Sequence, residues 1–311
     1  GFPPDVTPSK DLGFIYFGSV GTDDFNLPEM RRLAVALEEA GAVHRIETWS
    51  GGHEWPPVEE CALGLEWLEL HAMRAGTRPV DAGLVAEWRR RDEARAKSRE
   101  ASGAVIDALW AYRALAADYE GHGDVTAHRG HAAEIRASKA HRDAVKAERD
   151  DENKQRQTLG EIMANLRQLG DAEFRALAIQ TLKRTFVSLR KRSEDGSDPR
   201  AQRLARRMLV EASIATQQVA DSLTQQRQLA AAAQALALCD ELRPNHPGLL
   251  HAIASLYAQS GDRKKAIAAL QRATANGFSD AESLERDPAF ESLRAMPEFQ
   301  EILTAARKNG L

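Results

Sequence analysis

The sequence predicts a short α/β segment followed by a larger all-helical region, so that the chain is mostly α overall. Three observations carry this. Residues 13–18 (GFIYFG) and 43–49 (VHRIETW) have the length and the β-branched or aromatic content of buried strands. Each is followed by apolar residues recurring at the spacing of an amphipathic helix. Beyond Gly76-Thr77-Arg78-Pro79 no strand pattern returns. We divide the chain accordingly into an α/β portion (1–76), helical hairpins with one long charged helix (77–195), and repeat-like helices with a terminal cap (196–311).

In the first portion, the strand at 13–18 leads into the loop SVGTDDFN. Asn26, Pro28 and Glu29 form a helix start, and Leu27, Met30, Leu33, Ala34 and Leu37 recur on one face until Gly41. The second strand, 43–49, ends in the loop SGGHEWPP. Val58, Cys61, Leu65, Leu68 and Ala72 then form the expected buried stripe of a second helix. Strand, helix, strand, helix with short loops means parallel strands with crossover helices. Two strands do not make a stable open sheet, so this portion expects more sheet, upstream or on another chain.

In such sheets, ligands gather beyond the carboxyl ends of the strands. One loop there carries Asp23 and Asp24, the other His53. A carboxylate beside a histidine can fix the imidazole tautomer and leave the second ring nitrogen to take a proton.

Gly21-Thr22-Asp23-Asp24 after one strand and Gly51-Gly52-His53-Glu54-Trp55 after the next resemble the end of the α/β-hydrolase fold. The likeness is to its esterase, phospholipase/carboxylesterase and dienelactone-hydrolase branch. It covers residues 1–76 and implies a Ser…Asp…His triad. Asp24 matches the acid, with Asp23 the fallback; His53 matches the base; Trp55 is a candidate substrate-pocket wall, with cover for the sheet edge its alternative role. The family's GxSxG motif occurs nowhere in the 311 residues. The nearest approach, Phe17-Gly18-Ser19-Val20-Gly21, has Phe in place of the first glycine, and the helix starts near Asn26 rather than directly after Ser19. The nucleophile and oxyanion hole are therefore expected outside this chain.

From 77 onward, 81–100 and 102–119 read as an antiparallel helix pair sharing Leu84, Val85, Trp88, Val105, Leu109, Trp110, Tyr112 and Leu115. Residues 124–169 read as one long charged helix. Ala133, Ala137, Ala140, Ala144 and Ala147 follow a heptad along it, a seam that would permit a close helix neighbour or a dimer. His128 and His131 are spaced for a metal, but no third ligand completes a site, so no metal is expected. A helix over 171–192 ends at SEDGSDP, the clearest loop in the chain.

In the last third, Tyr257, Gly261, Ala266, Leu270 and Ala273, with Leu250, Ile253 and Ala254, match the spacing of a tetratricopeptide repeat. A shift of 34 residues brings Ala220, Leu223, Ala232 and Leu236 onto the same positions, with Pro244 closing the unit. Ser279-Asp280-Ala281-Glu282 opens a further helix, and LERDPAFESLRAMPEFQEIL resembles the polar-faced cap after such repeats. The resemblance implies a short groove for a peptide or protein ligand.

Bulk composition narrows the partners. The chain is 43% hydrophobic and 28% charged, with net charge −4 and pI near 6.2, so it carries no basic field for nucleic acid. The basic clusters at 89–91, 190–192 and 203–207 lie among acids or on helix faces. Cys61 and Cys239 sit at apolar positions and are expected as buried thiols. No run approaches the roughly 18 apolar residues of a membrane span, and no motif asks for a cofactor. The chain opens on Gly1 rather than Met, which leaves periplasm and cytoplasm both open.

Three readings follow. The chain is the C-terminal portion of a serine-hydrolase-like protein with a helical interaction domain. Alternatively, it is the tail of a working esterase or peptidase whose nucleophile lies upstream. The third is a non-catalytic scaffold with an inert hydrolase remnant.

Overall fold

The computed structural model describes residues 2, 3 and 5–310; Gly1, Pro4 and Leu311 lie outside the described residues. The first strand starts later than GFIYFG suggests, because Gly13 takes a left-handed backbone (φ +70°) that interrupts extension. Strand β1 is Tyr16–Gly21, helix α1 Leu27–Glu39, strand β2 His44–Trp49 and helix α2 Val58–Arg74. Gly18, expected to end the strand, lies inside it. A Cβ there would stand 2.8 Å from Met30 Cε, so this glycine serves the close approach of α1.

The strands pair in parallel, from Tyr16 opposite His44 to Gly21 opposite Trp49. Side chains alternate across a strand, so Phe17, Ser19, Arg45 and Glu47 share one face, and Gly18, Val20 and Ile46 the other. Met30 places α1 on the second face. On the first, Phe17 meets the Trp67 ring at 5.8 Å, and Gly64 admits the Phe17 edge. The two helices therefore cover opposite faces.

Beside β2, helices α3 (Ala82–Ala101) and α4 (Val105–Asp118) supply charges rather than further strands. Arg45 and Glu47 are buried. Arg45 Nε donates to Glu47 at 2.7 Å, and its Nη1 donates to Asp92 at 2.9 Å and Asp118 at 3.2 Å. Arg99 reaches Glu47 at 2.5 Å. Trp67 Nε1 and Tyr119 Oη close the network on Asp118 and Asp92. Buried charge is tolerable only when paired in this way.

At the other edge, β1 pairs with no strand among the described residues. Tyr16 and Thr22 donate their N–H groups toward β2, so the alternation of a parallel ladder turns those of Phe17 and Ser19 the other way. The stripe expected to be buried on α2 lies on its outer side. Val58, Leu65 and Leu68 are 79%, 66% and 44% exposed, and Cys61 is exposed with them. Leu63, Trp67, Leu70 and Met73 are buried instead. The helix carries two apolar stripes, and Trp67, with Gly64 beside it, wins the inner side because it removes more area from water.

The α3–α4 pair forms as expected, with Val85, Trp88, Leu109, Tyr112 and Leu115 in its core; Leu84 points out. The long helix of 124–169 is two helices, α5 (Thr126–Ala137) and α6 (Lys139–Arg167). Ser138 breaks it in an extended conformation (ψ 154°), and its hydroxyl accepts the His141 N–H at 3.0 Å, capping α6. The alanine heptad is thereby interrupted, and Ala133, Ala137 and Ala140 are exposed.

Contacts divide the chain into two units, Gly1–Lys154 and Gln155–Leu311. The expected boundaries at 76/77 and 195/196 fall inside them. In the second unit, α7 (Arg175–Glu194), α8 (Pro199–Gln225), α9 (Leu229–Leu242), α10 (Pro247–Gln259), α11 (Arg263–Ala275), α12 (Ala281–Arg286) and α13 (Pro297–Asn309) surround one apolar core. Of SEDGSDP, only residues 195–198 form the turn between α7 and α8; the rest belongs to the two helices. Asp198 caps α8 through the Arg200 and Ala201 N–H groups.

Two hairpins repeat here. Gly261 turns α10 into α11 with φ +85°, and Arg227, at the equivalent place 34 residues earlier, turns α8 into α9 with φ 62°. The turn hydrogen bonds correspond, Asp262 N–H to Tyr257 O and Gln228 N–H to Leu223 O, each 2.9 Å. Ala220, Ala232, Ala254, Ala266, Leu270 and Ala273 are buried where the helices cross.

The chain is thus mostly α, 71% helix and 4% strand, with one two-stranded parallel sheet. Among the described residues no helix is long and apolar enough to cross a membrane.

Candidate functional site

Because β1 and β2 pair in register, their carboxyl ends are level and their loops leave side by side. Backbone bonds join the loops: Thr22 N–H donates to Trp49 O and Asp23 N–H to Gly51 O, both at 2.8 Å. Two glycines permit this. A Cβ on Gly21 would lie 2.3 Å from Gly51 O, and one on Gly51 would lie 1.7 Å from the Trp49 ring.

The result is a contact between Asp24 and His53. The Asp24 carboxylate oxygens lie 3.3 and 3.2 Å from His53 Nδ1. Asp24 is buried, and its Oδ1 also accepts the Asn26 N–H at 2.9 Å, which fixes the carboxylate just ahead of α1. A carboxylate is favourable at that helix end. The His53 side chain is 55% exposed. Asn26 Nδ2 also lies 3.4 Å from Nδ1. One ring nitrogen cannot donate to Asp24 and accept from Asn26 at once, and the charge-assisted bond to Asp24 is the stronger. Nδ1 then carries the proton, and Nε2 keeps its lone pair. Phe25 packs on the imidazole at 4.7 Å between centroids.

Of the acidic pair, Asp24 meets His53; Asp23 supplies the backbone staple. Trp55 is 93% exposed, so on this chain it encloses no pocket. Ser19 lies within β1, opposite Glu47, and not on a strand-to-helix elbow. The sequence marks Asn26 as a helix cap, but its side chain makes no cap hydrogen bond and lies beside His53 instead; Phe25 carries no sequence signal beyond its place beside Asp24.

His128 and His131 are held by carboxylates. His128 Nε2 lies 3.0 Å from Glu93, and His131 Nε2 3.0 Å from Glu100. Among the described residues no cluster of three or more metal-ligating side chains forms. Cys61 and Cys239 are both free thiols; Cys239 is buried, and burial pushes its pKa up to about 12.

Comparison with protein-family models, curated proteins and solved structures finds no match for this chain.

Proposed function

We propose that the chain is the C-terminal portion of a serine-hydrolase-like protein of the esterase or peptidase class. Asp24 is its triad acid and His53 its base, and the nucleophile comes from a segment outside these residues. The observation that carries the reading is the Asp24–His53 Nδ1 contact beyond the carboxyl ends of two adjacent parallel strands. A base oriented this way presents Nε2 to a hydroxyl and takes its proton as that oxygen attacks a carbonyl. The outer edge of β1, which meets no strand among the described residues, and the exposed stripe of α2 support the reading, because further sheet and its helix would cover both. Trp55 would wall the pocket only once such a segment is in place.

The helices after residue 154 resemble tetratricopeptide repeats, and we assign them a protein- or peptide-binding role. The two hairpins related by 34 residues support this.

The test is hydrolysis of p-nitrophenyl acetate and butyrate by the chain and by the form extended upstream of Gly1. Activity in the extended form that falls by about 10³-fold or more in His53→Ala is expected from loss of a triad member. Activity of the short form that depends on Ser19 would overturn the assignment. No activity in either form leaves the scaffold reading, in which Asp24 serves its own loop through the Asn26 N–H.

A further inference from the structure

At the amino end of β2, away from Asp24 and His53, a cleft of about 580 Å³ opens between β2, α2, α4 and α5. This is the size of a small-molecule site. Arg45, His71 and Asp118 form buried parts of its lining, and His44, Trp110 and Arg113 its half-buried walls. Arg74 and Arg136 stand exposed at its rim.

The charges in this lining do not balance. Arg45, Arg74, Arg113, Arg129 and Arg136 face Glu38, Asp118 and Glu120, and each carboxylate is already taken. Glu38 pairs with Arg113 at 2.5 Å, Glu120 with Arg129 at 3.0 Å, and Asp118 with Arg45 at 3.2 Å. Arg74 donates to the Ala117 carbonyl at 2.8 Å and to His71 Nδ1 at 3.2 Å, neither of them an anion. Arg136 has no carboxylate partner among the described residues. The arginines also repel one another: the Arg113 pKa is lowered by partial burial, and Arg136 adds to this. The His141 pKa is lowered by burial and then by the charges of Arg113, Arg136 and Arg142, against a raising backbone hydrogen bond at Arg136.

The aromatic wall adds a second preference. Arg113 sits 5.2 Å over the Trp110 ring, and His44 meets that ring edge-on at 6.4 Å. Alanines 114, 116, 117, 132 and 133 complete a smooth apolar lining.

We propose that this cleft binds a small organic anion, with its carboxylate or phosphate head between Arg74 and Arg136 and a planar aromatic body along Trp110. The site stands apart from the hydrolase reading, since it uses neither Asp24 nor His53.

The test is calorimetric titration of the full chain with 2-naphthoate and phenyl phosphate. Neutral 2-naphthamide and inorganic phosphate are the controls. Both aromatic anions should bind, and 2-naphthamide should show no binding. Arg136→Gln and Arg74→Gln should each weaken 2-naphthoate by roughly tenfold or more, the size of a lost charged contact. Arg136 is exposed, so its variant should melt with the wild type and report on binding alone. Absence of binding by either anion at millimolar concentration would overturn the proposal, as would unchanged affinity in folded Arg136→Gln. Inorganic phosphate binding as tightly as phenyl phosphate would refute the role given to Trp110.

Discussion

At Gly21 the two loops approach so closely that one added methyl group would strike the backbone of Gly51. Backbone yields less readily than the end of a side chain, so Gly21→Ala should push the loops apart. We expect a loss of about 1–3 kcal/mol in thermal or denaturant unfolding, the usual cost of overpacking. The Nδ1–H signal of His53 should also lose its downfield position in imidazole NMR. A variant that keeps both would show that the loops meet for another reason.

The buried charges of β2 set a second residue-scale expectation. Arg45→Met leaves Glu47, Asp92 and Asp118 without their shared cation and should cost about 3–5 kcal/mol. Glu47 reports the same network through pH. Burial alone would raise its pKa, but Arg45, Arg99 and Arg95 overcome burial and hold it at about 2, against an ordinary 4.5. A depressed folded pKa gives stability that is full above the unfolded value and is lost as pH falls through the folded one. The loss should therefore develop between pH 4.5 and about 2, amounting to roughly 3 kcal/mol. Glu47→Gln should flatten that part of the stability curve. A slope equal to wild type there would refute the assignment.

Asp24 and His53 were legible because each sits in a glycine-marked loop after an apolar run. Arg45 and Glu47 were legible only as strand residues. The Arg45 partners Asp92 and Asp118 lie 47 and 73 positions away, and no local pattern announces such a pairing. The arginines of the cleft were invisible for the same reason. Arg74, Arg113 and Arg136 come from three helices and meet only in the fold.

At the scale of elements, the turn of each hairpin offers the cleanest test. Arg227 holds the left-handed backbone that Gly261 holds in the next hairpin. An L side chain in that region costs about 1 kcal/mol. Arg227→Gly should stabilise the fold by up to about that amount, and Gly261→Ala should destabilise it by about the same. Opposite signs in paired melts would confirm that the turns are equivalent; equal signs would break the repeat. The sequence shows this repeat at Ala220, Leu223, Ala232 and Leu236 but not at its turn, because Arg227 stands where glycine marks the next one.

Elsewhere spacing fixes the period of a helix but not the side it buries. Helix α2 offers two apolar stripes, and spacing alone does not choose between them; the Phe17–Trp67 contact does. In 124–169 the alanine heptad continued across Ser138, yet one hydroxyl capping the His141 N–H was enough to start a new helix. Alanine seams bury too little area to resist such a break.

At the scale of the whole molecule, the sequence marks its loops with glycine and proline, at Gly76-Thr77-Arg78-Pro79 and at SEDGSDP. The division at Lys154/Gln155 falls inside the continuous helix α6, where no such mark is needed. Composition therefore could not reveal it. The apolar clusters do: one draws only on residues between Leu70 and Ile135, the other only on residues from Leu159 onward. A core closed within one unit supplies its own cooperativity, and helical hairpins with short turns are rich in local contacts, which favours rapid folding. Residues 155–311 produced alone should then give a helical circular dichroism spectrum and one cooperative melt. Phe186, Phe290 and Phe299, fully buried in that core, set the control: Phe186→Ala should cost about 3–5 kcal/mol in this piece as in the full chain. A piece that binds a hydrophobic dye and melts without cooperativity would mean that its core needs the first unit, and the division would then describe contacts without describing folding.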